Sequence, residues 1–222
     1  MAFKKAVIVT GYSKNLSGLV AWNLKKMLEQ RGCRVVVVDP FKNEREKWIF
    51  RKTLLSWCSA KNMTSSVNST LTEANPLLED IDYMFCYSYG AVAGMFQDVV
   101  KVHHYIFLSP ALGAGTVKFG TKEKFFGLFI PGLREMTDEN FQEQIFERLC
   151  SLRKAGSKIK FFLPWNTETK WVEDEKVEYS ANLIAGHFNL FREVTVLPVK
   201  IHRDMIGDPE VIKEVLKELE MI

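Results

Sequence analysis

The sequence predicts an α/β fold in which a mostly parallel sheet lies between layers of helices. Apolar runs typical of strands alternate with segments of helical periodicity, which is the pattern of repeated βα units. Residues 35–38 are four consecutive valines, and such a β-branched run is typical of a strand buried on both faces. The 222 residues, 47% of them hydrophobic, can bury a sizeable core. We therefore expect a single three-layer domain over residues 1–222, with a sheet of about six strands.

The first βαβ unit can be predicted from its apolar runs and from the glycines that end its elements. The first predicted strand, 4–10, ends at Gly11. A helix is predicted near 17–31, because apolar residues recur there at helical spacing and Gly32 can end it. The second strand is predicted over 34–39.

The next segment has weaker signals. Residues 44–58 have a helical pattern, whereas residues 62–72 are rich in Ser, Thr and Asn and predict an exposed loop. A short helix near 73–79 is expected to lead into an apolar strand that ends near Tyr87.

Residues 86–90 read Cys-Tyr-Ser-Tyr-Gly at the end of that strand, and a helical pattern begins at Ala91. A strand, a tight turn with a central serine and a helix are the context that a G-x-S-x-G nucleophile elbow requires. Gly90 matches the last glycine of this motif, and Cys86 stands where the first glycine is usual. Ser88 is therefore a candidate catalytic serine.

Three further strands and two helices are predicted downstream. The strands cover 103–108, 158–163 and 193–199, and Thr137 is expected to cap the helix that precedes the second of them. After the last strand comes a loop that contains His202. Asp208 is a good N-cap and Pro209 suits the first position of the terminal helix.

The arrangement of these motifs resembles the α/β-hydrolase family, in which the catalytic residues follow the order serine, acid, histidine. The resemblance implies that Ser88 is the nucleophile and His202 the base. The acid would lie on the loop after the next-to-last strand, where Glu168 is the best candidate and Glu173 and Asp174 are alternatives.

The same resemblance extends to the N-terminus. Residues 10–12, Thr-Gly-Tyr, look like the family's H-G-x loop, with Thr10 in place of the usual histidine. By position, the backbone N–H groups of Tyr12 and Tyr89 would form the oxyanion hole. Because the chain begins at the strand before Gly11, we expect the sheet to lack the family's two N-terminal antiparallel strands.

The segment 113–136 contains five glycines and four phenylalanines and is long for a loop without a role. The family inserts its cap at this place, so the resemblance implies a small lid or acyl-binding wall here. We therefore expect a small carboxylic ester or thioester with an apolar acyl or aryl group as the substrate, and no cofactor.

Composition excludes several other classes of protein. The net charge of +3 is too small and too evenly spread to indicate nucleic-acid binding. We expect no membrane span and no signal peptide, because no apolar run is long enough. The four scattered cysteines are expected to be reduced in a cytoplasmic protein, and no residues have the spacing of a metal site.

Two alternatives stay open at this point. The Thr-Gly-Tyr-Ser segment after the first strand, with Asp39 ending the second, resembles an NAD(P)-binding Rossmann unit, although Asn15 and Ser17 stand where glycines are required. The departures at Thr10, at Cys86 and at Thr169, which stands at the position best aligned with the family's acid, also fit a catalytically inactive binding protein with a hydrolase fold.

Overall fold

The computed structural model describes residues 4–11, 21–41, 59–74, 80–112, 135, 138–165, 193–199 and 204–221. Its strands are β1 Lys4–Val9, β2 Cys33–Val38, β3 Asp80–Tyr87, β4 Lys101–Leu108, β5 Lys158–Trp165 and β6 Val194–Pro198. The helices of this part of the chain are α1 Trp22–Glu29, α2 Ala60–Ala74, α3 Gly90–Phe96, α4 Glu139–Lys154, α5 Asp204–Gly207 and α6 Pro209–Glu218. The six strands form one sheet in the order β2-β1-β3-β4-β5-β6, and every neighbouring pair is parallel.

Two hydrophobic cores lie on opposite faces of this sheet. Along β1, Val7 and Val9 belong to one core, while Ala6 and Ile8 belong to the other, because successive side chains of a strand point to opposite faces. Helices α2, α3 and α4 cover the first face, and α1, α5 and α6 cover the second. The predicted fold class, a three-layer α/β/α sandwich, is confirmed.

The sheet is more regular than the sequence predicts, since all of its described strands are parallel rather than most of them. No described strand is antiparallel to its neighbour, in keeping with the expected lack of the two antiparallel strands. The order also differs from that of the dinucleotide-binding fold, in which the third strand lies outside the second. Here β3 pairs with β1 instead.

The predicted loop over 62–72 is wrong, because these residues belong to helix α2. Met63, Val67 and Leu71 recur every four residues and are fully buried on the sheet. The intervening Ser, Thr and Asn residues have modest helix propensity, which is a weak preference that tertiary packing overrides.

The helix caps agree with the sequence at one site and differ at another. Asp208 caps α6 with Pro209 in the first turn, and its Oδ1 accepts a hydrogen bond from the Glu210 N–H at 2.8 Å. Helix α4 is capped by Asp138 rather than by the predicted Thr137, and Asp138 Oδ1 accepts from the Asn140 N–H at 2.9 Å. The predicted helix over 44–58 lies outside the described residues, as does the one near 73–79 apart from residues 73 and 74, which end α2.

A half-buried histidine lies on β4 near the amino edge of the sheet. The ring of His104 packs against that of Tyr83, with 5.0 Å between the centroids. Burial lowers the pKa of His104, and the neighbouring positive charges of Lys158 and His103 lower it further.

This lowered pKa predicts a stability that decreases in acid. The unfolded chain binds a proton at this position near the ordinary pKa of about 6.5, whereas the folded protein binds it only at lower pH. The stabilisation by neutral His104 is therefore complete above the unfolded pKa and is lost as the pH falls through the folded pKa. We expect His104→Gln to lose less Tm than the wild type when the pH falls from about 7.5 to about 5. Equal losses of Tm in the two proteins would contradict this origin.

Candidate active site

The strand order creates a natural crevice between β1 and β3. The chain leaves β1 toward β2 on one side and leaves β3 toward β4 on the other. Ligands of open α/β sheets bind outside the carboxyl ends of the strands at such a switch point. Gly11 follows β1 and Ser88 follows β3 at this edge of the sheet.

Ser88 has a left-handed backbone conformation, with φ of 53°. This conformation costs a non-glycine residue on the order of 1–3 kcal/mol and persists only where the surroundings enforce it. The Ser88 N–H donates to the carbonyl of Leu108 at 3.0 Å. The Ser88 carbonyl accepts from the N–H groups of Ala91 at 3.1 Å and Ala111 at 3.0 Å. The turn is therefore held by both the helix that follows it and the neighbouring strand.

Ser88 is also the accessible residue of an otherwise buried turn. It is half-buried, whereas every other residue from Tyr83 to Met95 is buried. Tyr87 packs into the core on one face of the sheet. Tyr89 packs into the other, where its ring stacks on that of Phe41 at 6.1 Å between centroids. The two tyrosines thus leave the serine between them at the surface of the crevice.

Two glycines allow the end of β1 to lie directly against this turn. A Cβ on Gly11 would stand 2.7 Å from Ser88 Cβ and 3.2 Å from Ser88 Oγ. A Cβ on Gly90 would stand 2.9 Å from the Val9 carbonyl oxygen. Side-chain atoms cannot fit at either position. The end of β1 and the turn at Ser88 can therefore touch only because residues 11 and 90 are both glycines.

Cys86 occupies the position of the motif's first glycine, and a third glycine makes room for it. A Cβ on Gly94 would lie 2.5 Å from Cys86 Sγ. Strand β3 and helix α3 can therefore still pack closely, because the glycine at their contact is Gly94 of the helix instead of a glycine at position 86 of the strand. Burial raises the pKa of the Cys86 thiol well above its usual range, so this thiol is neutral and has no accessible nucleophilic form.

The other predicted site residues fall into two groups. Tyr89 is the N-cap of α3 and follows Ser88 directly, so its amide lies at the start of that helix. The remaining predicted residues Tyr12, Glu168 and His202, the alternative acids Glu173 and Asp174, and the predicted lid except Glu135 lie outside the described residues.

Asp39 and Thr10, which bear on the alternative functions, both form hydrogen bonds close to the end of β2. The carboxylate of Asp39, which a Rossmann unit would direct to a ribose, accepts from the Phe41 N–H at 2.9 Å. The hydroxyl of Thr10 donates to the Val38 carbonyl at 3.3 Å and is buried. Within the described ranges, no three His, Cys, Asp or Glu residues are grouped as metal ligands. None of the helices there is long and apolar enough to cross a membrane.

Two residues that matter to the turn were not identified from the sequence. Gly94 follows Gly90 by one helical turn, so the i, i+4 spacing places both on one face and was a usable signal. Ser109, after β4, is a second left-handed serine, with φ of 46°. Its N–H donates to the Phe162 carbonyl at 2.7 Å, and we find no sequence pattern that indicates its conformation.

Comparison with solved structures identifies the fold as that of α/β hydrolases. The hydrolase olei00960 from Oleispira antarctica has a TM-score of 0.55 and 10% identity, over 99% of this chain and 91% of that one. An α/β-hydrolase-fold protein from Nakamurella multipartita has a TM-score of 0.50 and 14% identity, over 99% and 92%. Est816, an N-acyl homoserine lactone degrading enzyme, has a TM-score of 0.53 and 12% identity, over 98% and 93%. No protein-family model and no curated protein matches the sequence.

The contact between Cys86 and Gly94 predicts a strong coupling in stability. Gly94→Ala should destabilise the wild type by about 1–3 kcal/mol, because its new methyl group overlaps Cys86 Sγ. In a Cys86→Ala background the overlap with the thiol is gone, alanine favours the helix and only the tight contact with Val9 Cγ2 at 3.3 Å remains, so the same change should cost clearly less. Urea unfolding of the four proteins measures this double-mutant cycle. An equal cost in both backgrounds would show that the thiol is not what excludes a side chain at position 94.

Proposed function

We propose that this protein is a serine hydrolase that acts on a small carboxylic ester or thioester through an acyl-enzyme on Ser88. The observation that carries the proposal is the conformation of Ser88, a left-handed serine between a strand and a helix at the switch point of the sheet. The hydrolase fold of the solved neighbours supports the reaction class. In such an enzyme the strained conformation of Ser88 would keep the nucleophile accessible, and Ser88 is the one half-buried residue of an otherwise buried turn.

A serine hydroxyl requires an adjacent base, and we propose His202 for this role. The described residues on both sides of it support the assignment. Val199, just beyond β6, is buried, and helix α5 begins at Asp204. Helix α5 packs on α1, where Asn23 Nδ2 donates to the Gly207 carbonyl at 2.6 Å. His202 therefore lies in the chain between the carboxyl end of β6 and helix α5, and α5 packs on the helix of the first βα unit.

We propose Glu168 as the acid that orients His202 and stabilises its charged form. The support is positional. Strand β5 ends at Trp165, three residues earlier, and all strands of the parallel sheet have their carboxyl ends at the edge where Ser88 lies.

The proposed oxyanion hole consists of the backbone N–H groups of Tyr12 and Tyr89. The contact between Gly11 and Ser88 supports it, because Gly11 directly precedes Tyr12 in the sequence and lies against the nucleophile. Fixed amide donors of this kind contribute roughly 3–4 kcal/mol to transition-state stabilisation.

The proposed reaction has two acyl-transfer steps. Ser88 Oγ bonds to the substrate carbonyl carbon while His202 takes its proton. The bond to the alcohol or thiol then breaks, and His202 returns the proton to this leaving group. Water next attacks the acyl-enzyme, His202 takes a proton from it, and the carboxylic acid leaves as the Ser88 hydroxyl is restored.

The triad predicts a characteristic pattern of mutant activities. Ser88→Ala and His202→Ala should each lower kcat by several orders of magnitude, and the double mutant should be little worse, because the residues act as a unit. Glu168→Gln should cost less. The measurements are hydrolysis of p-nitrophenyl acetate and labelling by a fluorophosphonate probe, with Ser65→Ala, an exposed serine on α2, as the control. A wild type that the probe does not label would favour the inactive binding protein.

The acyl group is expected to be apolar, because the predicted wall 113–136 carries four phenylalanines. The two described residues that precede this segment support the assignment, since the Ala111 N–H donates to the Ser88 carbonyl and Leu112 is buried. We expect kcat/KM for p-nitrophenyl esters to rise roughly fourfold for each added CH₂ until the pocket is full. A preference for charged acyl groups, or activity on peptides alone, would refute the apolar wall.

The expected partner is thus a small-molecule ester or thioester, without cofactor or nucleic acid. A cytoplasmic location stays a prediction. It is supported by the free thiols of Cys33, Cys86 and Cys150, since free cysteines are the rule in reducing compartments.

A further inference from the structure

We propose that Arg148 of helix α4 is a positioning residue for Ser88, which it affects by fixing the far end of helix α3. This inference rests on the proposed hydrolase function for its effect on catalysis. The anchoring of α3 can be tested without it.

Helix α3 has few means of holding its own place. It has only seven residues, all of them small or apolar, so it forms no ion pair or side-chain hydrogen bond along its length. Gly90 and Gly94 each cost about 1 kcal/mol relative to alanine in a helix. No side chain caps its N-terminus. A helix of this length is not stable by itself, so its position depends on external contacts.

Arg148 supplies two such contacts at the C-terminal end of α3. Its Nε donates to the Met95 carbonyl at 2.8 Å, and its Nη2 donates to the Gln97 carbonyl at 2.7 Å. Carbonyls in the last turn of a helix have no partner within the helix, and a positive charge there is favoured by the helix dipole. The planar guanidinium group can bond to both carbonyls at once, which a lysine ammonium cannot do with the same geometry.

The residue that Arg148 binds is itself the centre of a buried network. Gln97 is 1% exposed, and its Nε2 donates to the Val100 carbonyl at 2.9 Å and to the Tyr105 hydroxyl at 3.0 Å. Its Oε1 accepts from the N–H groups of Val99 at 3.2 Å and Val100 at 3.1 Å. Burial raises the pKa of Tyr105 to about 12, so this hydroxyl keeps its proton. The end of α3 is thus tied both to helix α4 and to strand β4.

The other end of α3 is where the strained serine lies. The Ser88 carbonyl accepts from Ala91 in the first turn, and Gly90 lies directly against the end of β1. A shift of α3 along or about its axis therefore displaces Ser88 relative to its base and oxyanion donors. Errors of about 1 Å in such geometry reduce turnover by up to roughly 100-fold without weakening substrate binding in proportion. Arg148 should accordingly influence kcat more than KM.

The experiment compares Arg148→Met and Arg148→Lys with Arg153→Met. Arg153 is on the same helix but is exposed, and its Nη2 pairs with Glu193 at the protein surface, at 3.0 Å. All variants are assayed with p-nitrophenyl acetate at a temperature where each is folded, with rates expressed per folded molecule. We expect Arg148→Met to lower kcat about tenfold with KM within about twofold, Arg148→Lys to recover part of the loss, and Arg153→Met to match the wild type.

A second readout is hydrogen exchange of the backbone amides of 88–97, measured by mass spectrometry. Exchange should accelerate in Arg148→Met and not in Arg153→Met. If the wild type hydrolyses no ester but this acceleration occurs, the anchoring stands and the hydrolase proposal fails. Unchanged exchange, or an unchanged kcat in an active protein whose Tm falls, would overturn the positioning role. If Arg148→Met does not fold, Arg148→Lys is measured by the same two readouts and must show a smaller change in the same direction.

Discussion

The close approach of three backbone segments is the constraint on which this site depends. The end of β1, the turn at Ser88 and the first residues of α3 meet with no space for a Cβ at Gly11 or Gly90. The chain can pass from β3 to α3 this abruptly only if Ser88 adopts a left-handed conformation. Its strain persists because the Leu108 carbonyl accepts from the Ser88 N–H and the Ala111 N–H donates to the Ser88 carbonyl, which holds the turn from the side of β4. The neighbouring strand thus enforces the serine's geometry as much as the turn does.

The same constraint explains the composition of helix α3 and what surrounds it. A helix that must lie this close to the sheet needs small residues at the contact, and its two glycines and its length of seven residues give it little stability of its own. Stability is therefore supplied by neighbours, through the packing of Cys86 against Gly94 and through the hydrogen bonds of Arg148 at the other end. Cys86 departs from the usual motif, but it is compatible with the turn because Gly94 has no side chain and so leaves room for the Cys86 thiol.

Local signals in the sequence were sufficient for most of the fold. The valine run of β2 favours a strand and the Asp-Pro pair favours the start of helix α6, and both preferences act over only a few residues. Helix α2 was missed because its Ser- and Thr-rich composition favours turns locally, while its stability comes from burying Met63 and Leu71 against a sheet. Arg148 was missed for a similar reason. An arginine on an amphipathic helix has the pattern of a solvated residue, and its carbonyl partners lie 51 and 53 residues away in the chain.

The strand order by itself does not decide the chemistry, because flavodoxin-like proteins share the order 2-1-3-4-5 and bind nucleotides at the same switch point. The two uses of the crevice require different loops. Binding a phosphate calls for several free backbone N–H groups and no side chain in the way, whereas acyl transfer calls for one exposed nucleophile above a closed turn. At the end of β3 the N–H of Ser88 is engaged by Leu108, and its side chain stands beside Gly11. Within the described residues, the end of β3 therefore presents a serine side chain whose own N–H is already engaged, and this supports the proposed acyl transfer over cofactor binding.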